Sequence, residues 1–176
     1  SANQRFTNPK IMDRYIETFE TWNKVAFLYQ TKFMDLDLYN ETYDFICSSI
    51  QKADAKVLEI GCGPGNITKY LLSKRPDLKI HGIDIAPKMI ELAKLNNPSA
   101  SFATMDARQI DQLKAKYDAI VCGFCLPYLS QTDSQKLITD CYNLLNENGL
   151  IYLSFVEGDP NISDYQLSSG GDRSYF

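Results

Sequence analysis

The feature that most constrains the fold of this chain is a short apolar run followed at once by three glycines at alternate positions. The run covers residues 57–60 and is apolar except for Glu59; Gly61, Gly63 and Gly65 come next, and a segment with helical periodicity follows. Glycine lacks a Cβ, so it adopts positive φ angles and lets a ligand lie against the main chain, at a cost in folding entropy. A strand, a glycine loop and a helix in this order predict a ligand-binding loop at the end of a buried strand.

Composition and charge narrow the class of protein. The chain has 176 residues, of which 44% are hydrophobic, and no linker rich in Gly, Ser or Pro divides it. We therefore expect one domain, in which residues 1–54 form N-terminal helices and residues 55–176 form the ligand-binding part. The apolar runs are too short to span a bilayer, so we expect no membrane partner. A net charge of -4 argues against a nucleic-acid partner.

The cysteines bear on location and on metal chemistry. They are five in number and lie in apolar segments, at Cys47, Cys62, Cys122, Cys125 and Cys141. This usage is typical of reduced, buried thiols, and it predicts a cytoplasmic protein. Cys122 and Cys125 have C-x-x-C spacing without a second ligand pair, so packing in the core is favoured over redox or metal chemistry. With His81 as the single histidine, we expect no catalytic metal.

The order of apolar segments predicts an α/β fold with a doubly wound, mostly parallel sheet behind N-terminal helices. Helical spacing dominates the first fifty residues, and short apolar strands then alternate with amphipathic helices. Pro87 suits the first turn of one helix, Thr132 and Gln135 form a capping-box pattern at the start of another, and Asn148-Gly149 ends that helix. The predicted strands cover residues 56–60, 78–84, 101–105, 117–124 and 150–156.

Acidic residues follow two of these strands. Asp84 ends the second strand and Asp106 follows the third. In an open α/β sheet, ligands bind beyond the carboxyl ends of the strands, where these side chains meet the glycine loop. A carboxylate after the second strand can accept hydrogen bonds from both hydroxyls of a ribose. The pattern predicts a nucleoside ligand.

The glycine spacing separates two classes of nucleoside ligand. A dinucleotide fingerprint needs a glycine three residues after its second glycine, and Asn66 occupies that position. The spacing is Gly-x-Gly-x-Gly, with Glu59 before it and Asp106 at a later strand end. In these features the chain resembles the S-adenosylmethionine-dependent class I methyltransferases, whose fold is Rossmann-like. The resemblance covers about residues 56–155.

The resemblance implies a cofactor site made from strand ends and their loops. The glycine loop lies against the methionyl and ribose portion, the acid after the second strand holds the ribose diol, and an apolar residue covers each adenine face. An acid at the third strand end accepts from the adenine amine, the next backbone amide donates to a ring nitrogen, and carbonyls at the fourth strand end meet the methionyl ammonium. Aromatic residues of an N-terminal helix close over the cofactor. The corresponding residues are Gly61, Cys62 and Gly63 for the glycine loop, Asp84 for the ribose diol, and Ile85 and Met105 for the two adenine faces. Asp106 corresponds to the acceptor of the adenine amine and Ala107 to the backbone amide donor. Cys122 and Phe124 correspond to the carbonyls at the fourth strand end, and Trp22 and Tyr29 to the aromatic residues that close over the cofactor.

The activity implied by the resemblance is methyl transfer from S-adenosylmethionine to an acceptor, with S-adenosylhomocysteine as product. An acidic chain favours a small-molecule acceptor, and Leu126-Pro127-Tyr128 lacks the Asn of the Asn-Pro-Pro-Tyr motif of amino-methylating nucleic-acid enzymes. No residue is singled out as a catalytic base. A nicotinamide-dependent oxidoreductase and a noncatalytic S-adenosylmethionine-binding module remain as alternatives.

The end of the chain departs from the family pattern. Class I methyltransferases continue past the fifth strand with a helix and an antiparallel hairpin, whereas this sequence ends at Phe176. We therefore expect the C-terminal hairpin to be missing and the fifth strand to leave a bare edge. Proteins usually cover or pair such an edge. The expectation is that the tail covers it, that it pairs with another chain, or that the protein is poorly soluble.

Overall fold

Five parallel strands form the central sheet. The computed structural model describes residues 14–159 and, by backbone alone, the two short strands Tyr165–Gln166 and Arg173–Ser174, which pair antiparallel. The order of the main sheet is β3-β2-β1-β4-β5, and every pair of neighbours is parallel. The strands are β1 (Lys56–Ile60), β2 (Lys79–Asp84), β3 (Ser101–Thr104), β4 (Tyr117–Cys122) and β5 (Leu145–Leu153).

Helices cover both faces of this sheet, which confirms the predicted doubly wound α/β fold. On one face, α2 and α3 pack against alternate strand residues such as Val57 and Val121. On the other face, α5 packs against Leu58 and Ile120. Burial on both faces explains why the strands read as continuous apolar runs in the sequence. The helices are α1 (Arg14–Phe33), α2 (Asn40–Ser49), α3 (Asn66–Lys74), α4 (Pro87–Asn96) and α5 (Gln131–Leu144), with 3₁₀ helices at Ala107–Gln112 and Leu126–Tyr128.

The direction of winding changes between β1 and β4. From β1, the chain builds outward through β2 to β3, and it then returns to place β4 on the other side of β1. The loops that leave β1 and β4 therefore diverge to opposite faces of the sheet and leave a crevice at their carboxyl ends. Above the β1 and β2 ends, α1 packs on α4 through Ala26 and Met89. The fold thus positions α1 as a cover for the crevice.

Two of the predicted boundaries at the end of the sheet are wrong. The capping pattern Thr132–Gln135 does not start α5; Ser130 caps it by accepting from the Asp133 backbone N–H at 3.2 Å. The helix also ends before Asn148: it stops at Leu144, and β5 begins at Leu145 with an irregularity in its pairing with β4. The irregularity includes Asn148, which has a φ of 59°. The Asn148-Gly149 pair, predicted to end the helix, therefore marks a bulge within β5.

Smaller differences concern the strand ends that face the crevice. The fourth strand was predicted to reach Phe124, but β4 ends at Cys122, and Phe124 has a φ of 58°. Its backbone N–H donates to the Ser154 hydroxyl at 2.7 Å, which ties this turn to the residue after β5. Phe124 is therefore held outside the sheet, where its side chain is 37% exposed.

The outer edge of β5 is the edge for which the sequence predicts cover by the tail, pairing with another chain, or poor solubility. Within the part of the chain that the structure describes, no strand pairs with this edge. Most of residues 160–176, which form the tail that the sequence offers as a cover for this edge, lie outside the described residues. Self-association through β5 stays a prediction, as does the division of the domain at residue 54. No helix of the described residues is both long and apolar enough to cross a membrane.

Candidate functional site

A cavity opens at the carboxyl ends of β1, β2, β3 and β4, under α1. We call its lower wall the cavity floor, formed by Gly61, Gly63, Asp84 and Asp106, and its upper wall the aromatic roof, formed by Tyr15, Trp22, Tyr29 and Tyr128. The full lining comprises Tyr15, Thr18, Phe19, Trp22, Tyr29, Gly61, Gly63, Asp84, Ile85, Met89, Met105, Asp106, Ala107, Arg108, Gly123, Phe124, Cys125, Tyr128 and Leu129.

The glycine loop adopts the backbone that its sequence predicts. Gly61, Gly63 and Gly65 all have positive φ, at 67°, 53° and 82°. Gly65 leaves no room for a side chain, because a Cβ there would lie 2.4 Å from the Asn97 side-chain nitrogen. At Gly63, by contrast, a Cβ would meet only the Tyr29 ring, at 3.9 Å. Gly65 thus serves packing, and Gly63 keeps the space between floor and roof open.

Asp84 is fixed at the centre of the floor by two backbone hydrogen bonds. The Gly63 N–H donates to Oδ2 at 2.9 Å and the Ala86 N–H donates to Oδ1 at 2.9 Å. Burial raises the pKa of Asp84 above its ordinary value, although these hydrogen bonds act in the opposite direction. A carboxylate has about four acceptor positions, so both oxygens retain capacity for further donors. Asp84 can therefore receive two vicinal hydroxyls from the cavity side.

Asp106 differs from Asp84 in its charge environment. Arg108 donates to it from Nε at 3.1 Å and 3.0 Å, from Nη2 at 2.6 Å and from its backbone N–H at 2.9 Å. Burial alone would raise the pKa of Asp106, but the hydrogen bonds and charge of Arg108 prevail and lower it. This carboxylate stays ionised at neutral pH and can accept a hydrogen bond from a ligand.

A third acid lies below the floor without lining the cavity. Glu59, in the middle of the sheet on β1, is 1% exposed, and the Thr68 hydroxyl of α3 donates to it. Burial, chiefly, raises the pKa of Glu59 to about 8, and the nearby Asp84 contributes in the same direction. Glu59 is therefore largely protonated at pH 7 and links β1 to the helix that follows the glycine loop.

The roof is held by edge-to-face contacts between aromatic rings. The Trp22 ring meets Tyr29 at a centroid distance of 5.5 Å and Tyr128 at 5.4 Å, both at 87°. Trp22 and Tyr29 come from α1, whereas Tyr128 belongs to the 3₁₀ helix after β4. Aromatic faces above a carboxylate-lined floor suit a ligand that combines flat rings with positive charge.

The cavity brings together ten of the twelve residues that the resemblance implied. They are Trp22, Tyr29, Gly61, Gly63, Asp84, Ile85, Met105, Asp106, Ala107 and Phe124. Cys62 and Cys122 are the exceptions, because both are buried and neither lines the cavity. The Cys62 N–H donates to the Ile83 carbonyl at 2.9 Å, and the Cys122 carbonyl accepts from the Ser154 N–H at 3.1 Å. Both backbones are thus engaged in holding the strands, and their predicted contacts with the cofactor stay untested.

Nine residues that line the cavity are not among the twelve that the resemblance implied. Tyr15 and Phe19 lie on the same face of α1 as Trp22, so helical spacing from Trp22 could have identified them. Arg108 follows Asp106 by two residues, a separation that gave no signal by itself. The nine are Tyr15, Thr18, Phe19, Met89, Arg108, Gly123, Cys125, Tyr128 and Leu129.

Comparison with known proteins identifies the family. Residues 57–149 match the family model described as a methyltransferase domain, which is more than half of the chain. This chain belongs to the methyltransferase domain family. The match confirms the predicted resemblance, and with it the enzyme class and S-adenosylmethionine as the cofactor of the family.

The relatives are longer than this chain. A putative methyltransferase 235L of Invertebrate iridescent virus 6 is 31% identical over 139 residues, which are 78% of this chain and 49% of the viral protein. Among solved structures, an S-adenosylmethionine-dependent methyltransferase from Clostridium acetobutylicum is 26% identical with a TM-score of 0.59, over 74% of this chain and 55% of that one. The chain thus spans about half the length of these relatives.

A further solved structure supports the fold alone. The complex of DhpI with S-adenosylhomocysteine has a TM-score of 0.69 at 14% identity and covers 92% of this chain and 78% of that chain. The match thus extends over most of this chain. It confirms the Rossmann-like architecture of the described residues.

Proposed function

We propose that this protein binds S-adenosylmethionine between the cavity floor and the aromatic roof and transfers its methyl group to a small-molecule acceptor. The observation that carries the proposal is the convergence of two carboxylates from adjacent strand ends, Asp84 and Asp106, on one cavity that the glycine loop borders. The ribose hydroxyls and the adenine amine of one adenosyl group are hydrogen-bond donors, and their spacing suits carboxylates at two neighbouring strand ends. The roof then supplies apolar cover for the rest of the ligand.

Each part of the site has a defined task in this proposal. Asp84 accepts from the ribose hydroxyls, and Asp106 accepts from the adenine amine. Ile85 and Met105 cover the adenine faces, while Gly61 and Gly63 allow close approach of the methionyl portion. When bound, the cofactor supplies a sulfonium methyl group that an acceptor lone pair displaces in line.

The chain contributes to such a displacement mainly by position and by exclusion of water. Orientation of two reacting groups in one cavity is worth about 7–11 kcal/mol of the barrier. Trp22, Tyr29 and Tyr128 remove water from above the floor and present ring faces that stabilise positive charge. The cavity lining also has two acidic side chains, Asp84 and Asp106, against one basic side chain, Arg108, which favours a cationic ligand.

The class of acceptor is inferred from relatives and from charge. Relatives carry the names malonyl-[acyl-carrier protein] O-methyltransferase, demethylmenaquinone methyltransferase and trans-aconitate 2-methyltransferase. With one exception these names specify small molecules, and the exception is an acyl group on a carrier. The net charge of -4 supports the same class over nucleic acid.

The proposal is tested in two stages. Calorimetric titration with S-adenosylhomocysteine and, separately, with NADH should give binding of the first alone. Incubation with S-adenosylmethionine labelled on its methyl group and a panel of metabolites should then label an acceptor. Tighter binding of NADH would revive the oxidoreductase alternative, and cofactor binding without transfer to any acceptor would indicate a noncatalytic module. No uptake of S-adenosylhomocysteine at millimolar concentration would refute the proposal.

A further inference from the structure

Arg108 is placed to control the carboxylate beside it. Among the described residues that line the cavity, it is the one with a basic side chain. Its guanidinium forms a fork with both oxygens of Asp106, through Nε at 3.1 Å and 3.0 Å and through Nη2 at 2.6 Å. A forked pair of this kind fixes direction as well as charge. The rotation of the Asp106 carboxylate is therefore restricted.

Contacts from two other elements hold Arg108 itself. Its guanidinium lies 3.9 Å from the centre of the Tyr15 ring of α1. The Tyr15 hydroxyl donates to Asp133 and accepts from the Ser130 N–H at 3.0 Å, which connects α1 to the start of α5. The Lys136 ammonium of α5 donates to the Arg108 carbonyl at 3.0 Å. The fork is thus supported from α1 and from α5 at once.

We propose that Arg108 is a positioning residue for Asp106, which it holds ionised and oriented as the acceptor for the exocyclic amine of adenine, so that the site selects adenosyl over inosyl ligands. The inference rests on the proposed function. Nε, Nη2 and the backbone N–H of Arg108 are three donors to a carboxylate that has about four acceptor positions, so Asp106, which lines the cavity, retains capacity for one further donor. An amine can use this capacity. A carbonyl oxygen in place of the amine has no hydrogen to donate and would lie against the negative charge of Asp106.

The charge state of Asp106 gives the inference a signature in pH. With Arg108 present, the pKa of Asp106 is below its ordinary value, so Asp106 stays ionised to a lower pH than an ordinary aspartate does. In Arg108→Met the side-chain hydrogen bonds and the charge are lost and only the backbone N–H at position 108 still opposes burial, so the pKa of Asp106 should rise and the acceptor is lost at a higher pH. The other groups around the pair are Tyr15 and Lys136, whose raised pKa values keep them protonated between pH 5 and 8, and Asp133 and Asp84, which the substitution leaves in place.

The experiment compares two ligands and three proteins. S-adenosylhomocysteine and S-inosylhomocysteine, in which a carbonyl oxygen replaces the amine, are titrated calorimetrically into the wild type, Arg108→Met and Arg108→Lys between pH 5 and 8. We expect the wild type to prefer the adenosyl ligand by about tenfold to hundredfold, the effect of one unpaired buried polar group. In Arg108→Met this preference should shrink, most at pH 5, and Arg108→Lys should restore part of it.

A matched control comes from a second fork of the same spacing. Arg75 binds Asp77 through Nε and Nη2, both at 2.8 Å, but neither residue lines the cavity. Arg75→Met should lower thermal stability, because Arg75 also donates to the Ile50 carbonyl at 2.6 Å. It should leave the ligand preference and its pH dependence as in the wild type. A general loss of stability is thereby separated from loss of the Asp106 acceptor.

Failure of the inference and failure of the proposed function have different signatures. If the wild type does not bind S-adenosylhomocysteine, the proposed function itself is wrong. If the wild type binds and prefers the adenosyl ligand, but folded Arg108→Met shows the same preference at every pH, the role of Arg108 is overturned. A wild type that binds both ligands equally overturns it as well.

Discussion

The floor and the roof of the cavity are built from contacts of different kinds. The floor consists of backbone and carboxylates fixed by hydrogen bonds between neighbouring strands, such as that from the Gly63 N–H to Asp84. The roof consists of rings brought together from distant parts of the chain, such as Trp22 and Tyr128. Directional, charged contacts determine which ligand fits, whereas apolar contacts determine how well it is enclosed. We therefore expect substitutions in the floor to have larger effects than substitutions in the roof.

The largest effect is expected at the centre of the floor. Asp84→Ala removes the acceptor for both ribose hydroxyls, and a hydrogen bond to a charged group is worth about 1.5–3 kcal/mol. The affinity for S-adenosylhomocysteine should fall by about a hundredfold or more, measured by calorimetry. Thermal unfolding of the variant serves as the control, because the Gly63 and Ala86 N–H groups also lose their partner. Undiminished affinity in the folded variant would remove Asp84 from the site.

The second effect concerns stability and its dependence on pH. Glu59 has a pKa of about 8 in the folded protein against an ordinary value of 4.5, so its folded pKa is raised. Its contribution to stability is complete below pH 4.5 and is lost as pH rises to about 8. Each pKa unit corresponds to roughly 1.4 kcal/mol, so a loss of several kcal/mol is expected over this window.

Glu59→Gln isolates this contribution because it cannot ionise and still accepts from Thr68. Urea unfolding at pH 5, 6.5 and 8 should show the free energy of unfolding of the wild type falling relative to that of the variant. Asp84, whose pKa is also raised, titrates in both proteins, so the difference between them reports mainly on Glu59. Two curves that run parallel from pH 5 to 8 would show that Glu59 keeps one protonation state in this range.

Much of the floor could be predicted because its signals are local. An apolar run, alternate glycines and an acid after the second strand lie within residues 57–84, and they place β1, the loop and Asp84 correctly. The parallel sheet follows from strand length and alternation with helices. The start of α5 is less well predicted: the local pattern points to a cap at Thr132, whereas in the structure the Ser130 hydroxyl caps the helix by accepting from the Asp133 N–H.

The roof and the fork beside it could not be predicted in the same way. Helical spacing placed Trp22 and Tyr29 on one face, but the partner of that face depends on tertiary structure. Arg108 and Tyr15 are joined by a contact across more than ninety residues, for which no sequence pattern exists. Cys62 and Cys122 were implied as main-chain contacts of the ligand; the structure places both side chains in the core, and the main-chain contacts stay predictions.

The glycine loop allows a comparison between Gly63, which belongs to the floor, and Gly65, which does not line the cavity. Gly65→Ala places a Cβ 2.4 Å from the Asn97 side chain, which donates to the Gly65 carbonyl at 3.0 Å, at a φ of 82°. Backbone strain and the lost hydrogen bond should together cost about 2–4 kcal/mol of stability. Gly63→Ala meets no close atom, so only the left-handed backbone matters, at about 1–2 kcal/mol.

Ligand binding should reverse this order. A methyl group at Gly63 projects toward Tyr29 and fills the space between floor and roof, whereas one at Gly65 points at α4. Chemical denaturation and calorimetry on both variants test the pair of expectations. Equal losses of stability, or a greater loss of affinity in folded Gly65→Ala, would contradict the division between packing and ligand space.

The smallest effect is expected in the roof. An edge-to-face aromatic pair contributes about 0.5–1.5 kcal/mol, and Trp22 makes two such contacts. Trp22→Ala should therefore weaken binding of S-adenosylhomocysteine by about tenfold, and Trp22→Phe, which keeps a ring, by less. Because Trp22 is the single tryptophan of the chain, its fluorescence in the wild type reports directly on the roof. A ligand that binds at the floor without any change in this emission would show that the roof does not cover it, and the roof would then belong to the acceptor or to packing alone.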